Sequence, residues 1–324
     1  MRTAATVDLT ETAEGLPVLA VRADDAAAWA GRHPGDIRDV VDVHGAVLVT
    51  GLGLHDDVRA AEVFAAVGGE PMVEREAFAA RTEPRPRVYS SSAWPATEPM
   101  CHHHELSYAD PAPGLVLFAC LAPGDAGGTI TLADAAAVLS GLPADLVARF
   151  ERTGWLLTRA YSEEIGASWV DAFGTYDRNA VDSYCSTHGI ETAWQPDGGL
   201  RTRQHRAAVV RHPRTGISCW FNQVAFLSEW TLDPDVRDYL VEEYGADGLP
   251  FTTAYGDGDR IPEDVITTIN GVYDDVARPV AWQAGDLLVV DNVRTAHGRD
   301  AYTGPRDVLV GLAEPVAQPA GGAR

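Results

Sequence analysis

The run His102-His103-His104-Glu105 constrains the fold of this chain more than any other feature of its sequence. In an extended segment, side chains alternate between the two faces of a sheet. His103 and Glu105 are then expected on one face, and His102 and His104 on the other. A His-x-Glu pair of this kind offers two metal ligands on one strand. The sequence therefore predicts a metal site at a strand near residue 103.

A third candidate ligand, His297, lies far downstream, shortly after the apolar run at residues 287–290. Two imidazoles and one carboxylate form the facial triad that holds non-haem Fe(II) and leaves positions open for a co-substrate and oxygen. A lone histidine is more often a core or surface residue. The prediction therefore depends on a fold that brings His103, Glu105 and His297 together.

An arginine nine residues after His297 adds to this pattern. A 2-oxoacid chelates Fe(II) through two of the open positions, and a second carboxylate on the same molecule needs a rigid, bidentate cation. Arg306, on the next predicted strand, is placed to supply that cation. The alternative is a surface ion pair between Arg306 and an aspartate.

Composition is that of an ordinary soluble globular protein, with 324 residues, 46% of them hydrophobic and 22% charged. The sequence has no apolar run of about 18 residues, which predicts no transmembrane helix. Its first residues lack the pattern of a signal peptide, so we expect a cytoplasmic protein. The cysteines are too few and too scattered for a disulfide framework, and reduced thiols are predicted at Cys101, Cys120, Cys185 and Cys219.

The charge balance excludes two classes of partner. The formal net charge is −22, and every basic residue is an arginine. Binding to nucleic acid or to an anionic membrane needs a basic face, so neither is predicted. A small-molecule substrate is expected instead. An acidic carrier protein bearing the substrate is possible but disfavoured by charge repulsion.

Hydrophobic periodicity predicts a mostly β fold with flanking helices. Helices are expected around residues 26–29, 59–67, 135–150, 234–245 and 262–276. Strands are expected around residues 44–52, 88–90, 102–105, 115–120, 129–134, 207–210, 217–222, 279–282, 287–291 and 308–312. We expect residues 1–324 to form a single domain. In it, about 1–85 give α/β support and about 155–205 form a polar, irregular, lid-like insertion.

Several short motifs occur in order through most of the chain. They are His44-Gly45-Ala46-Val47-Leu48, Val88-Tyr89-Ser90-Ser91-Ser92, His103-His104-Glu105-Leu106-Ser107-Tyr108, Gly127-Gly128, His212-Pro213-Arg214-Thr215-Gly216, Trp220-Phe221-Asn222-Gln223, Tyr255-Gly256-Asp257-Gly258, Gly285-Asp286, His297-Gly298-Arg299 and Gly304-Pro305-Arg306. Together they resemble the taurine dioxygenase superfamily of Fe(II)/2-oxoglutarate oxygenases, and most closely its syringomycin-hydroxylase-like branch from specialised metabolism. The resemblance implies a double-stranded β-helix (jelly-roll, cupin-like) core. It also implies an enzyme that uses Fe(II), 2-oxoglutarate and O2.

By this resemblance, His103, Glu105 and His297 are the iron ligands, and Arg306 binds the distal carboxylate of 2-oxoglutarate. Glutamate is a known variant of the carboxylate ligand in this branch. Related halogenases carry a small residue there, which makes room for chloride. Glu105 therefore indicates oxygenation rather than halogenation.

Two positions depart from the family pattern. Members usually carry Gly-Gly-x-Thr, whose threonine contacts the co-substrate, but Ile130 fills that position here, with Thr129 and Thr131 on either side. Thr131 is taken as the candidate contact, with Thr129 as the alternative. His104 replaces the asparagine that is common between the ligands, and we expect it to support the site rather than bind the metal.

The predicted reaction is hydroxylation of a free amino acid, or of an amino-acid-derived small molecule, in the biosynthesis of a specialised metabolite. Desaturation, cyclisation and action on a carrier-tethered amino acid are alternatives within the same chemistry. An inactive metabolite-binding β-helix module is the alternative from another class. Candidate substrate contacts, each of which could instead be a structural hydrogen bonder, are Tyr89, Ser90, Asn222, Gln223 and Arg203.

Overall fold

The computed structural model describes residues 8–13, 15–79, 81–162, 166–245 and 248–319. Its strands are β1 (Asp8–Glu11), β2 (Pro17–Ala20), β3 (Ala46–Leu54), β4 (Tyr89–Ser90), β5 (Met100–His103), β6 (Ala112–Pro123), β7 (Ala126–Gly127), β8 (Ile130–Asp134), β9 (Trp155–Tyr161), β10 (Ile190–Trp194), β11 (Leu200–Arg206), β12 (Val209–Arg211), β13 (Ser218–Trp220), β14 (Phe251–Tyr255), β15 (Arg278–Val280), β16 (Gly285–Asp291), β17 (Thr295–Arg299), β18 (Tyr302–Thr303) and β19 (Arg306–Val316). Its helices are α1 (Ala26–Ala30), α2 (Pro34–His44), α3 (Asp57–Gly68), α4 (Ala135–Gly141), α5 (Ala144–Thr153), α6 (Trp169–Phe173), α7 (Arg178–Thr187), α8 (Pro234–Tyr244) and α9 (Glu263–Val276).

A seven-stranded sheet, in the order β1-β2-β3-β16-β6-β19-β4, forms the main layer. Its central strands have near-continuous apolar sequences because both faces of the sheet are covered. On β3, Leu48 packs in the core cluster on one face, and Val49 packs in the cluster on the other. Leu288 and Leu287 divide in the same way on β16. Each such buried side chain contributes about 1.5–3 kcal/mol of hydrophobic stabilisation.

A smaller sheet, in the order β15-β8-β17-β5, forms the second layer. One apolar cluster joins the two sheets, because it contains Phe118 and Val310 from the main sheet together with Leu132 and Ala296 from the smaller one. Helices of the first 85 residues cover the other face of the main sheet, where Trp29 of α1 and Phe64 of α3 are buried. The predicted mostly β fold with a double-stranded β-helix core is confirmed.

Residues 155–206 are not the irregular excursion that the sequence predicts. They contribute β9, β10, β11, α6 and α7, and β14 completes an antiparallel sheet in the order β10-β11-β9-β14. The prediction failed because the buried face of β11 consists of Leu200, Thr202, Gln204 and Arg206, and three of these side chains are polar. Hydrophobic alternation cannot reveal a strand whose buried face is polar.

The single helix expected over residues 135–150 is also wrong. The structure contains two helices, α4 and α5, separated at Leu142 and Pro143. Proline has no backbone N–H and its ring clashes with the preceding turn, so it cannot lie inside one continuous helix here. In the described parts of the chain, no helix is both long and apolar enough to cross a membrane.

A buried glutamate, Glu76, connects the segment before β4 to the β10-β11-β9-β14 sheet and its neighbouring helices. The carboxylate of Glu76 accepts hydrogen bonds from the Tyr184 hydroxyl at 2.9 Å and from Nε2 of Gln204 at 3.2 Å. Its backbone N–H donates to the carbonyl of Ala172 at 2.7 Å. Its backbone carbonyl accepts from the Tyr108 hydroxyl at 2.6 Å and from Arg159. We refer to these contacts as the Glu76 network.

Candidate metal centre

The two candidate histidine ligands lie opposite each other on paired strands. His103 is the last residue of β5, and His297 is the third residue of β17, and the two form a register pair across the sheet. Their ring centroids are 4.4 Å apart. The residues are 194 positions apart in sequence (297 minus 103), so only the β5–β17 pairing brings them together.

Glu105 reaches the same place from a turn and not, as predicted, from an extended strand. β5 ends at His103, and Glu105 lies in the turn that follows, where Leu106 has a φ of 47°. The buried side chain of Asn292 holds this turn. Its Oδ1 accepts the Glu105 N–H at 2.7 Å, and its Nδ2 donates to the Glu105 carbonyl at 2.8 Å and to the Pro113 carbonyl at 2.7 Å.

One ligand atom from each of His103, Glu105 and His297 lies within 4.8 Å of the other two. All three side chains are buried, with exposed fractions of 1%, 1% and 7%. Nδ1 of His103 lies 2.9 Å from the Cys101 carbonyl, so it carries the proton and leaves Nε2 free. Burial lowers the pKa of both His103 and His297. Both rings are therefore neutral at neutral pH, as a metal ligand must be.

The other two histidines of the tetrad lie outside this group. His102 stacks on Tyr273, with ring centroids 5.5 Å apart. Nδ1 of His104 lies 2.6 Å from the Asn292 carbonyl and donates to it, and the ring packs edge-on against Phe221. This arrangement matches the expected supporting role of His104, because its ring binds the residue that also holds the Glu105 turn.

Arg306 lines the same cavity as the three candidate ligands. Its Nε is buried and has no hydrogen-bond partner among the described residues. Burial, and then the neighbouring Arg299, lowers the pKa of Arg306 to about 10, so the guanidinium stays charged at neutral pH. Gly128, in the Gly127-Gly128 turn, leaves room for the arginine, because a Cβ there would lie 3.2 Å from Cδ of Arg306.

The structure contradicts the predicted co-substrate contact by Thr131. Ile130, the preceding residue on β8, lines the cavity. Thr131 therefore points to the opposite face of the strand, where its Oγ1 lies 2.9 Å from Nε2 of His102. The alternative, Thr129, lines a separate surface pocket with Gly128 and Trp282.

The predicted substrate contacts are not among the residues that line the metal cavity. Tyr89 is buried, and its hydroxyl accepts the Glu74 N–H at 2.8 Å, while Ser90 Oγ accepts the Thr82 N–H at 3.0 Å. The side chain of Arg203 is half-exposed on β11, 3.9 Å from Glu191.

Two further candidates are core residues. The Asn222 amide donates to the Ala208 carbonyl at 2.9 Å, and the Gln223 amide donates to the His104 carbonyl at 2.6 Å. Both side chains are about 2% exposed. Asn222 and Gln223 therefore support the backbone around the site, which corrects the prediction that they contact substrate.

Arg81 is the main site residue that the sequence did not reveal. Its Nη2 donates to Oε1 of Glu105 at 2.9 Å, and its Nε donates to Ser92 Oγ at 3.0 Å and lies 3.4 Å from Oε1 of Glu74. Burial raises the pKa of Glu74 to about 7, against the lowering effect of Arg81. The segment around Arg81 has no helical or strand periodicity, so no pattern in the sequence distinguished it from a loop arginine.

Apolar and aromatic side chains complete the cavity around the three candidate ligands. Phe226, which is buried, stacks on the His103 ring with centroids 4.2 Å apart, and Phe118 meets the His297 ring at 5.0 Å. Besides Phe118 and the three candidate ligands, the residues that line the cavity are Arg81, Ser91, Ser92, Trp94, Met100, Ile130, Gly298, Arg299, Tyr302, Arg306, Val308 and Val310. The cavity wall therefore combines apolar surface with three arginines, Arg81, Arg299 and Arg306.

The sequence profile of the family described as "Taurine catabolism dioxygenase TauD, TfdA family" matches residues 9–313. The chain belongs to this family. The predicted membership in the taurine dioxygenase superfamily is confirmed, and the syringomycin-hydroxylase-like branch stays a prediction. As a TauD/TfdA-family protein with a clustered His-Glu-His set, the chain is an oxygenase that uses Fe(II), 2-oxoglutarate and O2.

Among its relatives, this TauD/TfdA-family protein is 32% identical over 284 residues to the dapdiamide synthesis protein DdaC of Enterobacter agglomerans, covering 88% of this chain and 86% of that protein. It superposes on PvcB of Pseudomonas aeruginosa with a TM-score of 0.56 at 16% identity, covering 97% of this chain and 94% of that chain. A second PvcB structure, described as an Fe, alpha-ketoglutarate dependent oxygenase from an isonitrile synthetic pathway, gives a TM-score of 0.53 at 15% identity, covering 98% and 95% of the two chains. These structural matches support the fold.

Proposed function

We propose that the protein hydroxylates a free amino acid, or a small molecule derived from one, in the biosynthesis of a specialised metabolite. The observation that carries the proposal is the convergence of His103, Glu105 and His297, with Arg306 in the same cavity. The names of two similar proteins support a role in specialised metabolism. DdaC is named as a dapdiamide synthesis protein, and PvcB is described as an oxygenase from an isonitrile synthetic pathway.

The donor set fits an iron ion. Two neutral imidazoles and a carboxylate on one side of a cavity are the ligands that Fe(II) takes when it must keep open positions. In this proposal His103, Glu105 and His297 hold the metal. The carboxylate oxygen Oε2 of Glu105 lies 3.7 Å from Nε2 of His297, which leaves Oε1 to Arg81.

Arg306 fits the distal carboxylate of 2-oxoglutarate. A buried guanidinium nitrogen without an acceptor is unfavourable, and a carboxylate is its best-matched partner. Bound iron and 2-oxoglutarate supply, with O2, the oxidation of a C–H bond and the release of succinate and carbon dioxide.

The protein itself contributes placement and exclusion of water. Phe226 and Phe118 pack against the histidine rings, and Ile130 lines the cavity. This apolar surface restricts water near the metal. The reaction outcome then depends on which substrate C–H bond is held nearest the metal, since the chemistry needs no protein acid or base. Glu105 supports oxygenation over halogenation, because it fills the position that halogenases leave open.

Coupled turnover tests this proposal. The protein is incubated with Fe(II), O2, 2-oxoglutarate and a panel of amino acids, and succinate is measured beside the mass of the product. We expect succinate to form in the same molar amount as a product that is heavier than the substrate by one oxygen atom. His297→Ala should abolish both, whereas His55→Ala, at an exposed histidine, should leave both unchanged.

Other outcomes assign the reaction differently. A product lighter by two hydrogen atoms indicates desaturation or cyclisation. Turnover of a carrier-tethered amino acid, with none of the free one, indicates a carrier-dependent enzyme. Succinate that never exceeds the substrate-free background with any amino acid overturns the proposal.

A further inference from the structure

Two arginines in the metal cavity keep a buried nitrogen without a partner among the described residues. They are Arg81, at Nη1, and Arg306, at Nε. The third arginine of the cavity, Arg299, differs, because its Nη1 and Nη2 donate to backbone carbonyls of Pro95, Glu98 and Asp300. Buried N–H groups without an acceptor are rare in folded proteins, so each of the first two points to a missing anion.

2-Oxoglutarate can supply an acceptor to only one of these two arginine nitrogens. Its 1-carboxylate and keto oxygen would bind the metal, which would leave one distal carboxylate for one guanidinium. Arg306 is the proposed partner of that carboxylate. Arg81 therefore keeps an unused donor, on a chain segment far in sequence from β19.

The contacts that Arg81 already makes do not use this donor. Nη2 is bound to Glu105, and Nε is bound to Ser92 with Glu74 nearby. These contacts hold the guanidinium in place, with a side chain that is only 5% exposed. Nη1 is thus a fixed donor on a residue of the cavity wall, next to a candidate metal ligand.

The charges in the cavity favour one more anion. With iron and 2-oxoglutarate bound, the cavity would hold four positive charges, two from Fe(II) and one each from Arg81 and Arg306. It would hold three negative charges, one from Glu105 and two from 2-oxoglutarate. Arg299 in the cavity wall adds one positive charge, and Glu74 beside Arg81, whose pKa burial raises to about 7, adds at most one negative charge at neutral pH. This remaining positive charge favours a substrate that places a carboxylate against the arginines.

We propose that Arg81 binds the carboxylate of the substrate through Nη1 while Nη2 holds Glu105. This inference rests on the proposed hydroxylation and narrows its substrate to a molecule with a free carboxylate. A carrier-bound thioester lacks that group. The inference therefore favours the free acid over the tethered one.

The experiment compares each of the twenty common L-amino acids with its primary amide, which keeps the shape and removes the negative charge. Succinate formation is measured for the wild type, Arg81→Gln and Arg81→Lys. Arg203→Gln serves as the matched control, because this half-exposed arginine lies outside the cavity. Fe(II) and 2-oxoglutarate binding is checked in each variant by the anaerobic charge-transfer band.

We expect the wild type to prefer at least one acid over its amide by about 10- to 100-fold in kcat/KM, as loss of a charge-assisted hydrogen bond predicts. Arg81→Gln should lower activity on the acid to the level of the amide, mainly through KM, with little further loss on the amide. Arg81→Lys should recover part of the preference, and Arg203→Gln should keep it fully.

Three results overturn the assignment of Arg81 and leave hydroxylation standing. They are equal turnover of acid and amide by the wild type, an equal loss on both in Arg81→Gln, and loss of the preference in Arg203→Gln. The second of these would show that Arg81 acts only on Glu105. If no compound of the panel stimulates succinate formation, the proposed amino-acid hydroxylation itself fails and the inference fails with it.

Discussion

Metal binding should stabilise this fold measurably, because the proposed ligands join parts of the chain that are far apart in sequence. His103 ends β5, Glu105 lies in the turn that follows it, and His297 lies on β17. An unfolded chain does not present these three side chains together, so the ion binds the native state selectively. The perturbation is removal of the ion with a chelator, followed by its replacement under anaerobic conditions.

The magnitude follows from linkage. Fe(II), or Mn(II) as an air-stable substitute, at a free concentration of about 100 times its Kd adds about 2.7 kcal/mol of stability. For 324 residues, an unfolding entropy of about 2.1 cal/mol/K per residue gives about 0.7 kcal/mol/K for the chain. The expected rise in Tm is therefore about 4 °C.

Differential scanning calorimetry on the metal-free and metal-loaded protein measures this shift. His297→Ala should lose most of it, while His55→Ala, which removes an exposed histidine, should keep it. His102→Ala separates the proposed site from adventitious binding by three consecutive histidines, and we expect the shift to persist. A shift that survives in His297→Ala at wild-type size, or one that disappears in His102→Ala but not in His297→Ala, would refute the assignment.

Three further predictions concern the co-substrate, the thiols and a buried acid. Arg306→Gln should raise the Kd of 2-oxoglutarate about 10- to 100-fold in anaerobic titrations, with metal binding retained; an unchanged Kd contradicts the proposed contact. At pH 8, Ellman's reagent should modify at most one thiol of the native protein, Cys101, because the others are buried and burial raises their pKa to about 12; a second fast thiol contradicts this. Burial raises the pKa of Glu74 to about 7, so its ionisation costs stability increasingly from about pH 4.5 to 7, and fully above that range. Glu74→Gln should therefore be more stabilising at pH 8 than at pH 5, by about 2 kcal/mol in urea unfolding; an equal effect at both pH values is inconsistent with that pKa.

The sequence predicted the parts of the fold whose burial is apolar. β3, β6 and β16 are runs of valine, leucine and alanine buried on both faces, and these runs are visible without any structure. β11 was missed because Gln204 and Arg206 occupy its buried face. The interruption between α4 and α5 was predictable, since Pro143 is a direct signal.

The candidate ligands were predicted for a reason that is only partly right. Strand alternation placed His103 and Glu105 on one face, but Glu105 actually lies in a turn held by Asn292. The spacing worked because that turn still directs the carboxylate toward His297. Arg81 could not be predicted, because its position depends on contacts with Glu105 and Ser92 that no local pattern encodes.

The Glu76 network has a consequence for any attempt to build a smaller oxygenase from this chain. Residues 155–206 contribute none of the proposed metal ligands and would be the obvious segment to delete. Yet Ala172, Tyr184 and Gln204, all within that segment, bind Glu76. Deletion would leave the buried Glu76 carboxylate without its donors Tyr184 and Gln204, and the Glu76 N–H without its acceptor. Glu76 lies five residues before the arginine that contacts Glu105. The β10-β11-β9-β14 sheet and its helices therefore support the active site. A smaller enzyme would have to keep this segment, or would first need a replacement for Glu76.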